Sequence, residues 1–264
     1  MRSSLRYIEV LPSPSLAPYV QCFWALTGQA APGQVYRVLP DGCLDILVDL
    51  SAGEPRLQIV GAMREAGVVP LPAAVCSLGI RFRPGGAHPF LRLPLHELTG
   101  AHLSLEALWP REAREWEGRL QEAVGLPARL RLLEALLLRR LAEDRPEGAL
   151  LHAVGLIHAT RGQVPLRTLE EVMAVSPRQF ERRFQAQVGL TPKVLCRIAR
   201  VRHAVALLGA QPGLPGAHLA LEAGYYDQAH LVREFRALTG LTPGAYAREQ
   251  AGDGFVQSSP GSGI

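Results

Sequence analysis

The chain has 264 residues, of which 48% are apolar and 20% charged, and a formal net charge of +4. That length suits one or two domains with cores of their own, and the composition is ordinary for a globular protein. No apolar run approaches the roughly 20 residues of a membrane span, and residues 1–12 hold no apolar stretch of the signal-peptide kind, so the expected compartment is the cytoplasm.

The charge is unevenly placed. Residues 1–148 carry 16 Arg/Lys against 16 Asp/Glu, whereas residues 149–250 carry 12 against 7. A basic excess confined to one segment is the electrostatic footprint of a phosphate-binding surface. The four cysteines, Cys22, Cys43, Cys76 and Cys196, form no Cys-x-x-Cys pair and have no His partner nearby in sequence. They read as small buried thiols in a reducing compartment, and no metal site or cofactor is expected.

The first hundred residues read as strands and turns. Residues 43–50 alternate Leu44, Ile46, Val48 and Leu50 with Asp45, Leu47 and Asp49, the pattern of a half-buried strand after the turn Pro40-Asp41-Gly42. Residues 75–82 alternate Cys76, Leu78, Ile80 and Phe82 with Ser77, Gly79 and Arg81, and stop at Arg83-Pro84-Gly85-Gly86. Weaker strand patterns lie at 21–26, 36–39 and 57–63. From about Leu103 the period becomes helical: a short capped helix at 104–109, then longer ones at 112–124 and 128–141. Leu126, Leu130, Leu133, Leu137 and Leu141 form a stripe at helical spacing; packing on the same domain and a homodimer seam stand as alternatives for it. Residues 142–148 are polar with Pro and Gly, as in a linker. Helical periodicity then runs from Ala149 to about Arg248. The tail lacks periodicity and is expected to be disordered.

Near its C-terminus the chain says one thing twice. Phe184-Gln-Ala-Gln-Val-Gly189-Leu190-Thr191-Pro192 recurs 51 residues later as Phe235-Arg-Ala-Leu-Thr-Gly240-Leu241-Thr242-Pro243. Arg182 and Arg233 stand two residues before each Phe, and the N-cap candidates Ser176 and Asp227 eight before. In the second copy, residues 217–223 predict a short helix with Leu219 and Ala220 inward. Gly224 suits a left-handed C-cap, and Asp227 can cap a second helix over 228–235. In the first copy, residues 166–173 predict the short helix, and Ser176-Pro177 opens the second. Phe180, Phe184, Leu231 and Phe235 face the core. Arg178, Gln179, Glu181, Arg182 and Gln185 face outward in one unit, and Gln228, Ala229, Val232, Arg233 and Arg236 in the other. Residues 192–208 predict one long helix between them. A short helix, a turn, and a capped second helix with polar residues outward is helix-turn-helix logic.

On Leu169, Ser176, Arg178, Arg182, Phe184, Gly189, Pro192, Arg200, Ala204, Ala220, Gly224, Asp227, Gln228, His230, Arg233, Phe235, Gly240, Pro243 and Tyr246, residues 164–248 resemble the DNA-binding domain of the AraC/XylS family of bacterial transcription regulators. The resemblance implies that Arg178, Glu181 and Arg182, and Gln228, Ala229, His230 and Arg233, stand at base-reading positions of two helices in successive major-groove segments. His230 is also a phosphate or packing residue by its chemistry. Arg182 and Arg233 have an alternative as partners of Glu181 and Glu234. Two residues depart from the family pattern: Glu170 stands where Ala is usual, and Ala174 replaces the usual turn Gly.

Many AraC-like regulators carry a β-rich sensor first. Residues 19–26, 39–46, 79–86 and 94–98 resemble segments of one uncharacterised class of such sensors. Trp24, Arg37, Asp41, Asp45, Arg81 and His88 are candidate effector-binding residues, with a cross-strand pair as the alternative role for Asp45 and Arg81 and a loop position as that of His88. The expected architecture is α+β: a β-rich sensor or dimerisation domain with C-terminal helices over 1–146, an all-α domain of two helix-turn-helix units joined by a long helix over 149–250, and a disordered tail over 251–264. The expected partners are double-stranded DNA, RNA polymerase, a small-molecule effector and a second copy of the chain; the expected function is transcription regulation without catalysis. Two rivals are a Cys-dependent methyl-transfer enzyme fused to a DNA-binding domain, and an adaptor whose first helix-turn-helix has degenerated.

Overall fold

A computed structural model describes residues 3–141 and 147–251. The expected linker falls mostly, and the expected disordered tail almost entirely, outside those residues; Ala251 itself ends the last helix.

The N-terminal region is β-rich. β1 (Arg6–Val10), β2 (Val20–Gln29), β3 (Val35–Val38), β4 (Leu44–Asp49), β5 (Arg56–Val60), β6 (Gly67–Pro70) and β7 (Ala74–Phe82) precede the one-turn helix α1 (His88–Leu91). A 3-10 helix (Leu95–Leu98), the short strand β8 (His102–Ser104) and a second 3-10 helix (Leu105–Ala107) lead to α2 (Pro110–Glu122) and α3 (Leu126–Arg140). Six strands form an antiparallel sheet in the order β1-β2-β7-β4-β5-β8, and β3 pairs with β6 as a separate ribbon.

The alternation in β4 decides its two faces. Leu44, Ile46 and Val48 are buried while Asp45, Leu47 and Asp49 are half-buried. The first set joins Phe23, Ile59, Leu78, Ile80 and Phe82 in the main core, closed by α1, α2 and α3. Of the leucine stripe, Leu130, Leu133 and Leu137 are buried in that same core, and Leu126 and Leu141 pack partly against it. On the other face of the sheet, Leu26 and Val75 meet Tyr36 beneath the β3–β6 ribbon.

Three strands and one helix go beyond the sequence reading: β1, β6, β8 and α1. β6 has three exposed residues of four, so no alternation marks it. His88 opens α1 and is not a loop residue. The helix expected at 104–109 is only a 3-10 turn, with the Ser104 side chain accepting from the Glu106 N–H. Trp109 precedes Pro110 and takes φ −130, ψ 72, since the proline ring disfavours the α region for the residue before it.

The C-terminal domain is helical: α4 (Gly148–Ala159), α5 (Leu166–Met173), α6 (Pro177–Val188), α7 (Pro192–Ala210), α8 (Gly216–Glu222), α9 (Gln228–Thr239) and α10 (Pro243–Ala251). Each half of the repeat has its own core. Phe180 and Phe184 pack with α4, α5 and part of α7; Leu231, Phe235 and Tyr246 pack with α8 and the rest of α7. The second core also takes in Leu39 and Ala62 from the N-terminal region.

Candidate nucleic-acid interface

Each unit is a short helix, a turn, and a capped longer helix. In the first, Ser176 accepts from the Gln179 N–H and the Gln179 side chain accepts from the Ser176 N–H at 3.2 Å, a complete capping box with Pro177 at the first helical position. Ala174 makes the turn at φ 50, ψ 38, a left-handed conformation where a Cβ is crowded. In the second, Gly224 makes the turn at φ 77 with no such strain, and the Asp227 carboxylate accepts from the His230 N–H at 2.6 Å. Both longer helices end on left-handed glycines, Gly189 at φ 88 and Gly240 at φ 77.

The outward faces carry the expected groups. Arg178, Glu181 and Arg182 on α6 are exposed, as are Gln228, Ala229, Arg233 and Arg236 on α9. Gln228, Ala229, Val232 and Arg233 line one concave patch. Neither Arg182 nor Arg233 makes an ion pair among the described residues, so the expectation of Glu181 and Glu234 as their partners gives way. Three residues sit differently from the rest. Gln179 is exposed but spends its side-chain oxygen on the helix cap, and Gln185 is half-buried. His230 is half-buried, edge-on to Tyr225 with ring centroids 5.2 Å apart and 3.7 Å from Glu234.

The sequence reading did not find what holds α9 in place. Glu234 is 13% exposed and receives Arg197 at 2.9 Å and Arg200 at 3.4 Å, both from α7. Arg200 also donates to the Gly162 carbonyl at 3.0 Å, at the end of α4 in the first unit. One guanidinium thereby touches both units. A Cβ on Gly224 would fall 2.4 Å from the Gln163 side chain, so the same loop lies against the second turn. The two longer helices are thus held by side-chain bridges as well as by the continuous α7.

On the far face of the sheet, four of the six candidate effector residues come together. Arg81, 2% exposed, reaches Asp45 at 3.2 Å and Asp41 at 3.6 Å, and the Trp24 indole N–H donates to Asp45 at 3.3 Å. Asp45 and Arg81 are direct partners across β4 and β7. Burial pushes the Asp45 carboxyl up, against the opposing pull of Arg81. Tyr36 from the ribbon lies close enough for Arg81 to act on its hydroxyl, which burial raises above the usual phenol range. Trp24 lies flat on Gly79, where a Cβ would come within 2.4 Å of the indole. Arg37 and His88 do not join this cluster. Arg37 faces α10, its Nε 3.1 Å from Glu249, and His88 stands at the start of α1.

Residues 169–249 match a family described as a helix-turn-helix domain, and residues 8–104 match a domain of unknown function (DUF6597). No curated protein matches the chain. Among solved structures, the C-terminal domain of AraT, a response regulator from Geobacillus stearothermophilus, aligns at 22% identity, covering 46% of this chain and 97% of that one, with a TM-score of 0.37. ToxT from Vibrio cholerae O395 aligns at 8% identity over 95% of this chain and 98% of its own, with a TM-score of 0.40. ToxT bound to (E)-4-(8-methylnaphthalen-1-yl)but-3-enoic acid aligns at 6% identity over 94% and 99%, with a TM-score of 0.41.

Proposed function

From a C-terminal domain that is an AraC-type helix-turn-helix domain in a DNA-binding transcription regulator, we propose that α6 and α9 read two successive major-groove segments on one face of the duplex. The observation that carries this is the pairing of Arg182 with Arg233. They stand at equivalent points of the repeat, exposed, without ion pairs among the described residues, on capped helices joined by one unbroken helix. α7 has 19 residues, about 28 Å at 1.5 Å per residue, and joins the two units without a break. Arg178, Glu181 and Arg182 read one segment; Gln228, Ala229 and Arg233 read the other, with Ala229 suited to a thymine methyl. Gln179, Gln185, His230 and Arg236 set the helices and meet phosphate.

The N-terminal region over 1–146 is the sensing part and 149–250 the DNA-binding part. A small effector acts at the Trp24, Asp41, Asp45 and Arg81 cluster. Segment 36–42 supports this, because Tyr36 and Asp41 belong to the cluster while Leu39 packs in the second unit's core and Gly42 abuts Leu195 of α7. The chain acts in the cytoplasm, where its DNA is, and among the described residues no helix is long and apolar enough to cross a membrane. Catalysis by a Cys22, Cys43 or Cys196 thiolate is disfavoured by burial, which pushes Cys22 up to about 12 and raises the other two as well. The complete capping box of α6 favours a working first unit over a degenerate one.

Binding to the DNA upstream of the chain's own gene, against shuffled DNA at two salt concentrations, tests this. Tighter binding to the native sequence that survives added salt is the expected result. Equal binding to both, erased by salt, would mean counterion release alone and would sink the reading.

A further inference from the structure

The last carbonyls of a helix have no donor within it. For both recognition helices the N-terminal region provides one, within two residues of the closing glycine. In the first unit the Thr99 hydroxyl donates to the carbonyl of Gly189, the C-cap of α6. A Cβ on Gly189 would lie 3.2 Å from the Leu95 carbonyl oxygen, so the approach is close. In the second unit Arg37 donates to the Thr239 carbonyl at 3.3 Å and Ala66 N–H donates to the Leu238 carbonyl at 2.8 Å. These sit one and two residues before Gly240, the C-cap of α9. The Arg37 guanidinium faces the negative end of the α9 dipole and forks onto Glu249 of α10.

The two grips are joined by a short bar of paired backbone. Gly100 N–H donates to the Ala62 carbonyl and Gly61 N–H to the Ala101 carbonyl, each at 3.0 Å. The backbone of Gly61 lies directly against that of Leu98, leaving no room for a Cβ. Ala62 itself is part of the second unit's core. These bonds cross from the Thr99 grip to Ala62; the chain 62–66 then leads to Ala66, and the pairing of Arg37 with Val68 carries the path on to Arg37. The bar touches helix ends, not the outward faces, so it leaves Arg182 and Arg233 open.

We infer that Thr99 and Arg37 are positioning residues for DNA reading: through one hydrogen-bonded bar the N-terminal region holds the ends of both recognition helices, and so sets the spacing between the two DNA segments the chain accepts. This rests on the reading above that both helices enter DNA. α7 and the Arg200 bridge join the units along one side; the bar adds a strut on another that limits their rocking.

Two measurements on the full chain test it. Spin labels at R167C and H218C, an equivalent pair of exposed positions 51 apart, in a C76S background, report the distance between units without DNA. One narrow distribution is expected, broadening clearly in T99V/R37Q. The second measurement uses an operator selected from random DNA, altered by one base pair between the two segments. A one-base-pair change rotates one segment against the other, and the intact protein is expected to lose about tenfold or more in affinity. T99V/R37Q is expected to lose less than about threefold, with base preferences inside each segment unchanged. Should the double variant fold poorly, T99V against T99S decides, because serine keeps the donor and is expected to restore both the narrow distribution and the spacing penalty. An unchanged distance distribution with an unchanged spacing penalty overturns the inference. Failure to select any two-segment operator overturns the reading it rests on, while the label distances still report whether the bar holds the units.

Discussion

Arg197 donates to Glu234 at 2.9 Å and so ties the second recognition helix to the helix between the units. With Arg200 on its other oxygen, Glu234 is the counter-charge that two guanidinium groups share in a largely covered place. Glu234→Ala leaves both without a counter-charge, and breaking such a network costs on the order of 2–3 kcal/mol. Urea unfolding measures this, and a loss well under 1 kcal/mol would show the bridge to be no stronger than a solvated surface pair.

Arg182→Ala and Arg233→Ala are each expected to weaken operator binding by about 1–3 kcal/mol and to relax the preference at one base pair. The positions should lie in different DNA segments. A uniform loss across sequences, with a shallower salt dependence, would make that arginine a phosphate contact instead.

Ala174 holds φ 50 at the turn of the first unit. A left-handed residue with a Cβ costs about 1–2 kcal/mol, offset by the roughly 0.5–1 kcal/mol of extra chain entropy that glycine loses on folding. Ala174→Gly is therefore expected to raise stability by up to about 1 kcal/mol, read from the denaturation midpoint. A fall in stability would mean that the methyl group packs usefully where it stands.

Cys22 is 1% exposed, and burial pushes its thiol up to about 12. In the unfolded chain a thiol loses its proton near pH 8.5. Between roughly that pH and 12 the unfolded state binds fewer protons than the folded one, so stability falls as pH rises. Urea midpoints at pH 8 and pH 10 are expected to drop, and Cys22→Ala should reduce the drop. An equal drop in the variant would assign the effect to other groups, the Cys43 thiol first among them, since burial raises it as well and an unfolded thiol ionises well before a phenol does.

The alternation of β4 and β7 was readable because each has one face in the main core, and period two survives in such strands. The caps Ser176 and Asp227 were readable because their hydrogen bonds span three residues. β6 was not readable: its backbone pairs with β3, and its side chains are mostly exposed. The cross-strand pair of Asp45 and Arg81 was foreseen as an alternative role, but its depth was not. Charged residues in the polar register usually face water, but here Tyr36 of the ribbon folds over this face beside Trp24 and the buried Arg81. Arg37 stands among the same candidates in the sequence, one residue after Tyr36. In a strand, successive side chains point to opposite faces, and Arg37 goes to the helical domain instead.

The sequence by itself determined the two helix-turn-helix units, their caps, their core phenylalanines and their outward arginines, since each follows from interactions between residues a few positions apart. Tertiary structure alone decided where the N-terminal region meets those units. The contacts of Thr99 with Gly189, Arg37 with Thr239 and Arg37 with Glu249 span 90, 202 and 212 residues. No local propensity or period registers a bond of that span. It exists only because two separately built cores bring a hydroxyl and a guanidinium to helix ends whose carbonyls have no donor of their own.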